Sequence, residues 1–425
     1  MDWVRQRWRL SECDLDNFEY AERKCKLIQL CHDDDGNRQV QSLDIATEDE
    51  WKRWFDDEKD ILLTSKPTTS VILGSRSDKS YEGLGYLPFS RPIFEDILKR
   101  FSIHDSVART IFRNYTATFS RTYLVSESAP ETAIVYNCRT SAQWGNDLAL
   151  SATYFPDTGS IFAMFYGCND HSIEKTIMTR IANRISKSSE DAFSHPMFLV
   201  GVFAEIERAR MRELVLSAKV ALQNVIDALQ INGYRSISHS TSPADPWLNV
   251  YEIRNGLEFW AKLLANMISH IEELNRDQHH SKQGEPFRRT GRRIKDRLEE
   301  IHLEYEGLVK DCDRIVDGMT LATSLALARD NMNDGKQMKA IALLTMIFLP
   351  ATFVATFFSM TLVELGPNYG WLYPSVTIPL TITVLSAYWV AVVKPWRKHE
   401  LYPANAYKSD GKKKDHSFSR YCCLV

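Results

Sequence analysis

From Ala340 to Leu362 the chain reads AIALLTMIFLPATFVATFFSMTL, without one charged residue, and about 24 uncharged residues separate Lys339 from Glu364. A hydrocarbon core of ~30 Å needs roughly 20 residues of helix, so this run is long enough to cross a bilayer. A second run, SVTIPLTITVLSAYWVAVV, follows Pro374 and stops at Lys394. Tyr373, Tyr388, Trp389 and Trp396 stand near its ends or last turns, where interfacial aromatics belong. The joining loop VELGPNYGWLY carries Glu364 and no Lys or Arg, whereas Lys336 and Lys339 precede the first run and Lys394, Arg397 and Lys398 follow the second. The positive-inside rule then puts both chain ends in the cytosol, as expected of a multi-pass integral membrane protein. Two buried core helices of a soluble protein, the competing reading, would explain neither the lengths nor the basic flanks.

The remainder of the chain reads as soluble. Lys+Arg 52 against Asp+Glu 55 gives no whole-chain argument for nucleic acid. The basic stretch RRTGRRIKDR, Arg288 to Arg297, has no aromatic platform beside it and reads as a solvated helix surface. Cysteines at 13, 25, 31, 138, 168, 312, 422 and 423 form neither a CxxC pair nor a His/Cys cluster at metal-finger spacing, so reduced thiols are expected and no structural metal site is assigned. The N-terminus MDWVRQRWRLSECDLD lacks the apolar core of a secretory signal. No P-loop, nucleophile elbow or HExxH pattern argues for an enzyme, and no cofactor is expected.

Residues 1–196 read as an α/β cytosolic domain. KCKLIQLC, TTSVILG, TAIVYNC, LALSATYF and SIFAMFYG are apolar, β-branched runs of strand length, and Pro156-Asp157-Thr158-Gly159 joins the last two as a hairpin turn. FEDILKRF among them and EKTIMTRIANRIS after the last of them have helical spacing. HDDDG, His32 to Gly36, reads as a solvated turn, and the sequon at Asn114 is discounted as cytosolic. Residues 197–280 read as an amphipathic helical pair: Met211, Leu214, Ala218, Leu222, Val225 and Leu229, then Ile253, Leu257, Trp260, Leu264, Met267, Ile271 and Leu274. After HHSKQGEPF a third series runs Ile294, Leu298, Ile301, Tyr305, Leu308, Cys312, Ile315, Met319, Ala322 and Ala326 in steps of four and three. This stalk helix, residues 286–338, has no proline before Pro350 and is expected to continue into the first span, for roughly 110 Å at about 1.5 Å per residue. The spans are set at 339–362 and 374–394, joined by an extracytosolic loop 363–373 and followed by a basic cytosolic tail 395–425.

Polar residues in the first span fall on one face. Thr345, Thr352, Thr356 and Ser359, with Leu349 between them, continue downward through Ala342 and Met338 toward Gly335 and Asn331. Such a stripe has two uses: close helix approach in lipid, or the wall of a narrow path where hydroxyls and carbonyls replace part of an ion's water shell. One hairpin cannot enclose a pore, so conduction requires several copies around an axis.

The order of α/β domain, helical pair, long stalk and C-terminal two-helix transmembrane hairpin, with Met338-Lys339 ahead of IFLPATF, resembles the CorA-type metal-ion transporters and most closely their divergent branch in filamentous fungi. The specific match lies between about Asp334 and Trp371. In that family five subunits place their stalks and first spans around one pore. The resemblance therefore implies a homo-oligomer in membrane lipids, a pentamer by analogy. It also implies a pore lined by Met338, Ala342, Thr345, Leu349, Thr352, Thr356 and Ser359, and a transported divalent cation, Mg2+ or a relative. The family signature Gly-Met-Asn at the pore mouth is Ser359, Met360, Thr361 here, which keeps the methionine and replaces a long amide by a short hydroxyl. Mg2+ is usually held through its waters, so carbonyls and hydroxyls can serve it, with less discrimination. Glu364 matches the family's acidic loop and, repeated around a ring, would concentrate cations at the mouth. A CorA-like scaffold or sensor without conduction is the alternative that loss of the signature leaves open. The terminal Cys422-Cys423-Leu424-Val425, with Lys412, Lys413 and Lys414 upstream, has the form of a lipidation box, although valine is an atypical last residue.

Overall fold

In the computed structural model of this chain the described residues are 10–32, 38–57, 67–77, 83–112, 116–125, 132–168, 177–232, 245–276, 284–359 and 371–390. They fall into two compact units, one ending at Leu325 and one beginning at Ala326. The first unit begins with α1 (Glu12–Leu15), β1 (Glu19–Tyr20), β2 (Cys25–His32), β3 (Arg38–Ile45), α2 (Glu48–Asp57), β4 (Thr69–Ser75), β5 (Tyr86–Leu87), α3 (Arg91–Arg100) and α4 (Ser106–Phe112). It continues through β6 (Thr118–Val125), β7 (Thr132–Arg139), β8 (Ala149–Phe155), β9 (Ser160–Cys168), α5 (Ile177–Lys187), α6 (Ser189–Ser194), α7 (Met197–Asn232) and α8 (Asp245–Arg276). Then comes one helix of 75 residues, α9 (Gly284–Phe358), which passes from the first unit into the second. The second unit adds α10 (Leu372–Tyr388).

Seven strands form one sheet in the order β3-β2-β4-β9-β8-β7-β6. Only the β4–β9 pair within it is parallel among the described residues. Pairing alternates the side chains of each strand between two apolar layers. On β4, Val71 and Leu73 enter the core shared with α5, α7, α8 and α9, while Ile72 enters the other core with Trp51 and Trp54 of α2, Phe94 of α3 and Val107 of α4. That double burial is why all of TSVILGS is buried and its Val71-Ile72-Leu73 centre is apolar without alternation. The β8–β9 hairpin forms where Pro156 to Gly159 predicts it, and Gly159 takes φ +74, a backbone region costly for a residue with a Cβ.

The helical periodicities are also realised. All seven predicted positions from Ile253 to Leu274 on α8 are buried, as are Ile294, Leu298, Ile301, Tyr305, Cys312, Ile315 and Met319 on α9. Outside this apolar seam, Arg208–Glu304 at 2.8 Å and Lys219–Asp311 at 2.6 Å join α7 to α9, and Arg254–Asp313 at 2.5 Å joins α8 to it. In the second unit the balance reverses. The most apolar 18-residue window of α9 has mean hydropathy 2.2 and is 11% buried, which makes α9 a helix long and apolar enough to cross a membrane.

Candidate functional site

The last turns of α9 and the start of α10 touch each other. Tyr373 donates its hydroxyl to the Ala351 carbonyl at 3.3 Å, and Pro350 and Val354 are the buried residues of this part of α9. Met346, Ala351 and Phe358 beside them are half-buried, as are Thr377, Thr381, Val384, Leu385 and Tyr388 of α10. Ala351, Thr377 and Thr381 are the small side chains at this contact.

At 3.6 residues per turn, the line Thr345, Leu349, Thr352, Thr356, Ser359 lies about 180° around α9 from Pro350 and Val354. The hydroxyl stripe is therefore not the seam on which the two helices pack. Met338 (71%), Leu349 (72%) and the four hydroxyl residues are exposed along it, and Ala342 is half-buried.

Each hydroxyl has one proton and gives it back to its own helix. Thr345 donates to the Ala342 carbonyl at 2.9 Å, Thr352 to Phe348 at 2.9 Å, Thr356 to Thr352 at 2.7 Å and Ser359 to Thr356 at 2.9 Å. What each presents outward is an oxygen with unused lone pairs, an acceptor for a cation or for the hydrogens of its waters. Met360, Thr361, Glu364, Cys422 and Cys423 lie outside the described residues. Among the described residues no three His, Cys, Asp or Glu side chains gather as a metal-binding group.

The first unit holds charged clusters that linear spacing does not announce. Glu205 on α7, its side chain 7% exposed, receives Arg297 of α9 at 2.5 Å, Arg208 at 3.0 Å and Arg184 of α5 at 3.6 Å. Burial works against its ionisation, but the Arg297 hydrogen bond and the three guanidinium charges outweigh it and hold the carboxyl below its ordinary range. Glu207, with no side-chain exposure, is gripped by Arg210 at 2.7 Å. Burial pushes its carboxyl up, against the pull of that guanidinium. Arg210 also donates to the carbonyls of Ser141 and Trp144, pinning the 141–147 loop, whose Trp144 ring rests against Gly256 of α8. Arg208 and Arg210 reach their glutamates one helical turn away, but the Arg210 bonds to the loop and the Arg297–Glu205 pair join residues 65 to 92 positions apart, beyond the reach of helical or strand periodicity.

Residues 262–395, which contain the end of α8, all of α9 and α10, match the family model described as CorA-like Mg2+ transporter protein. Over this stretch, about a third of the chain, the sequence is similar to CorA-like Mg2+ transporters. Among solved structures, the CorA magnesium transporter from Methanocaldococcus jannaschii superposes with a TM-score of 0.47 at 13% identity, covering 85% of this chain and 96% of that one. The full-length CmaX protein superposes with a TM-score of 0.46 at 11% identity, covering 87% and 98%. No curated protein matches the sequence. The CorA-like stretch includes every stripe residue from Met338 to Ser359.

Proposed function

We propose that this protein is a homo-oligomeric membrane pathway for divalent cations, Mg2+ or a related ion, with the hydroxyl face of α9 lining the conduit. One observation carries the reading: within the CorA-like stretch, the stripe of Thr345, Leu349, Thr352, Thr356 and Ser359 sits on the face of α9 that α10 leaves free, offering acceptor oxygens outward. A ring of copies around that face, five by analogy with the family, would give an ion rings of lone pairs in place of part of its water shell. Ser359, Met360 and Thr361, with Glu364 beyond them, form the mouth in this reading. Both chain termini are cytosolic, and Cys422 or Cys423 carries a lipid that tethers the basic tail.

The reading is tested with purified protein in vesicles, by following Mg2+, Co2+, Ni2+ and Zn2+ entry. Flux above empty vesicles is expected, and Thr352→Leu with Thr356→Leu abolishes it by narrowing the conduit. Absence of flux for all four ions, with assembly verified, overturns conduction. That outcome favours the second reading, a CorA-like scaffold or sensor, to which the change of Gly-Met-Asn into Ser-Met-Thr points.

A further inference from the structure

The least expected polar group in the first unit is His270 on α8, fully buried, at a junction of three elements. Its Nε2 lies 3.0 Å from the hydroxyl of Tyr136 on β7. Its Nδ1 lies 2.5 Å from Arg121 Nη1 on β6 and 3.5 Å from Glu273 Oε2 on its own helix. Arg121 in turn pairs with Glu273 at 2.6 Å, and the Tyr123 ring of β6 meets the imidazole edge-on at 6.4 Å. Among the described residues, Arg121 and Tyr123 from β6, Tyr136 from β7 and Glu273 from α8 face the imidazole.

A guanidinium nitrogen can only donate. The short Arg121 contact therefore requires a lone pair on Nδ1, which fixes the neutral tautomer with its proton on Nε2, donated to the Tyr136 oxygen. A second proton on Nδ1 would set N–H against N–H and cation against cation in a buried site. A carboxylate acceptor lies within reach of Nδ1 in Glu273, so the doubly protonated ring exchanges Arg121 for that carboxylate, and Arg121, already 34% exposed by its side chain, moves toward solvent. β6 is an edge strand, bonded in the sheet only to β7 among the described residues, so its hold on α8 depends on contacts of this kind.

We infer that His270, Arg121 and Glu273 form an acid-released latch: the neutral imidazole ties edge strand β6 to α8, and its protonation transfers His270 to Glu273 and frees the strand. The latch lies wholly in the first unit and does not depend on whether the protein conducts.

Hydrogen exchange of the β6 amides tests this in the full chain in lipid nanodiscs, corrected for intrinsic rates, from about pH 8 to about pH 5.5, where imidazoles take up their proton. Protection in β6 is expected to fall by about tenfold on acidification, while β4 and β9 in the sheet centre hold theirs. His270→Gln keeps one acceptor and one donor without a titrating group and should abolish the pH dependence. Arg121→Leu leaves the imidazole in place and should give fast β6 exchange already at neutral pH. Wild-type protection that is flat with pH overturns the latch, as does unchanged pH dependence in His270→Gln. Arg121→Leu with wild-type protection at neutral pH does the same, and this test remains if the glutamine variant does not fold.

Discussion

The two units use apolar side chains in opposite ways. In the first, Trp260, Leu264, Ile271 of α8 and Ile301, Tyr305, Met319 of α9 are sealed inside the chain's own core. In the second, Ile341, Leu344, Phe348, Phe353 and Phe357 are 51 to 66% exposed, and the small buried patch around Pro350 and Val354 is all that the helix pair covers by itself. A soluble monomer rarely leaves so large an apolar surface bare. The difference teaches that the first unit is completed by its own fold, while the second leaves an apolar surface that, in the proposed reading, lipid and copies of the chain complete.

Truncation of side chains should break this symmetry most sharply. Trp260→Ala removes a fully buried indole and should destabilise the first unit by about 3–5 kcal/mol. Phe353→Ala, 66% exposed on the second unit, should shift stability by under about 1 kcal/mol, since the side chain makes few contacts within the chain to lose. Thermal unfolding of the detergent-solubilised protein reads both. Equal losses would mean that Phe353 is packed against protein, and the comparison would fail at that face.

Overpacking probes the same contrast from the other side. A Cβ on Gly256 would stand 2.2 Å from the Trp144 ring, so Gly256→Ala should cost about 1–3 kcal/mol. Combining it with Trp144→Ala should give back part of that loss, because the clash and the ring vanish together. Gly335 in the second unit has nothing within 4 Å of its would-be Cβ, and Gly335→Ala should be neutral or slightly stabilising in the single chain. A large loss there would reveal a close neighbour supplied by another copy.

These contrasts explain what could be read in advance. Central strands such as CKLIQLCH and SIFAMFYGC announce themselves because both faces are buried and the residues are apolar. The edge strands RQVQSLDI and TFSRTYLV do not: one flank lacks a partner strand, side chains such as Val40, Leu43 and Tyr123 are exposed, and the composition is that of a loop. The hydroxyl stripe was legible because helical spacing alone puts it on one line. Its position relative to α10 was not, since that depends on which face meets Pro350 and Val354. Glu205 and Arg297 are 92 positions apart, and Arg121 and His270 are 149 apart; only the fold brings either pair together.

Acid should touch the first unit before the second. Because the Glu205 carboxyl titrates below its ordinary range in the folded chain, its contribution to stability is complete above the unfolded value of about 4.3. That contribution is lost as pH falls through the lower folded value. Glu205→Gln should cost about 1–2 kcal/mol near neutrality, moderated by the 39% exposure of Arg297, and should flatten the acid limb of the unfolding curve. An acid limb unchanged in this variant would remove the Glu205 cluster from the stability of the helical layer.

The smallest effect on stability should accompany a large effect on flux. The Thr352 hydroxyl is spent on its own helix, donating to the Phe348 carbonyl at 2.9 Å and the Leu349 carbonyl at 3.0 Å. Thr352→Val keeps the shape and removes that oxygen, so unfolding should move by less than about 0.5 kcal/mol. If the stripe lines the conduit, the same change removes one ring of lone pairs from the ion's path. An interaction of about 1–1.5 kcal/mol lost at the barrier slows passage by about tenfold. Thr377→Val on α10 is the matched control: its hydroxyl donates to Tyr373 at 2.7 Å on a half-buried face, and flux should be indifferent to it. Equal responses at Thr352 and Thr377 would mean that the free face of α9 has no special standing. A response at Thr352 alone would tie the acceptor oxygens, and not the apolar wall around them, to ion passage.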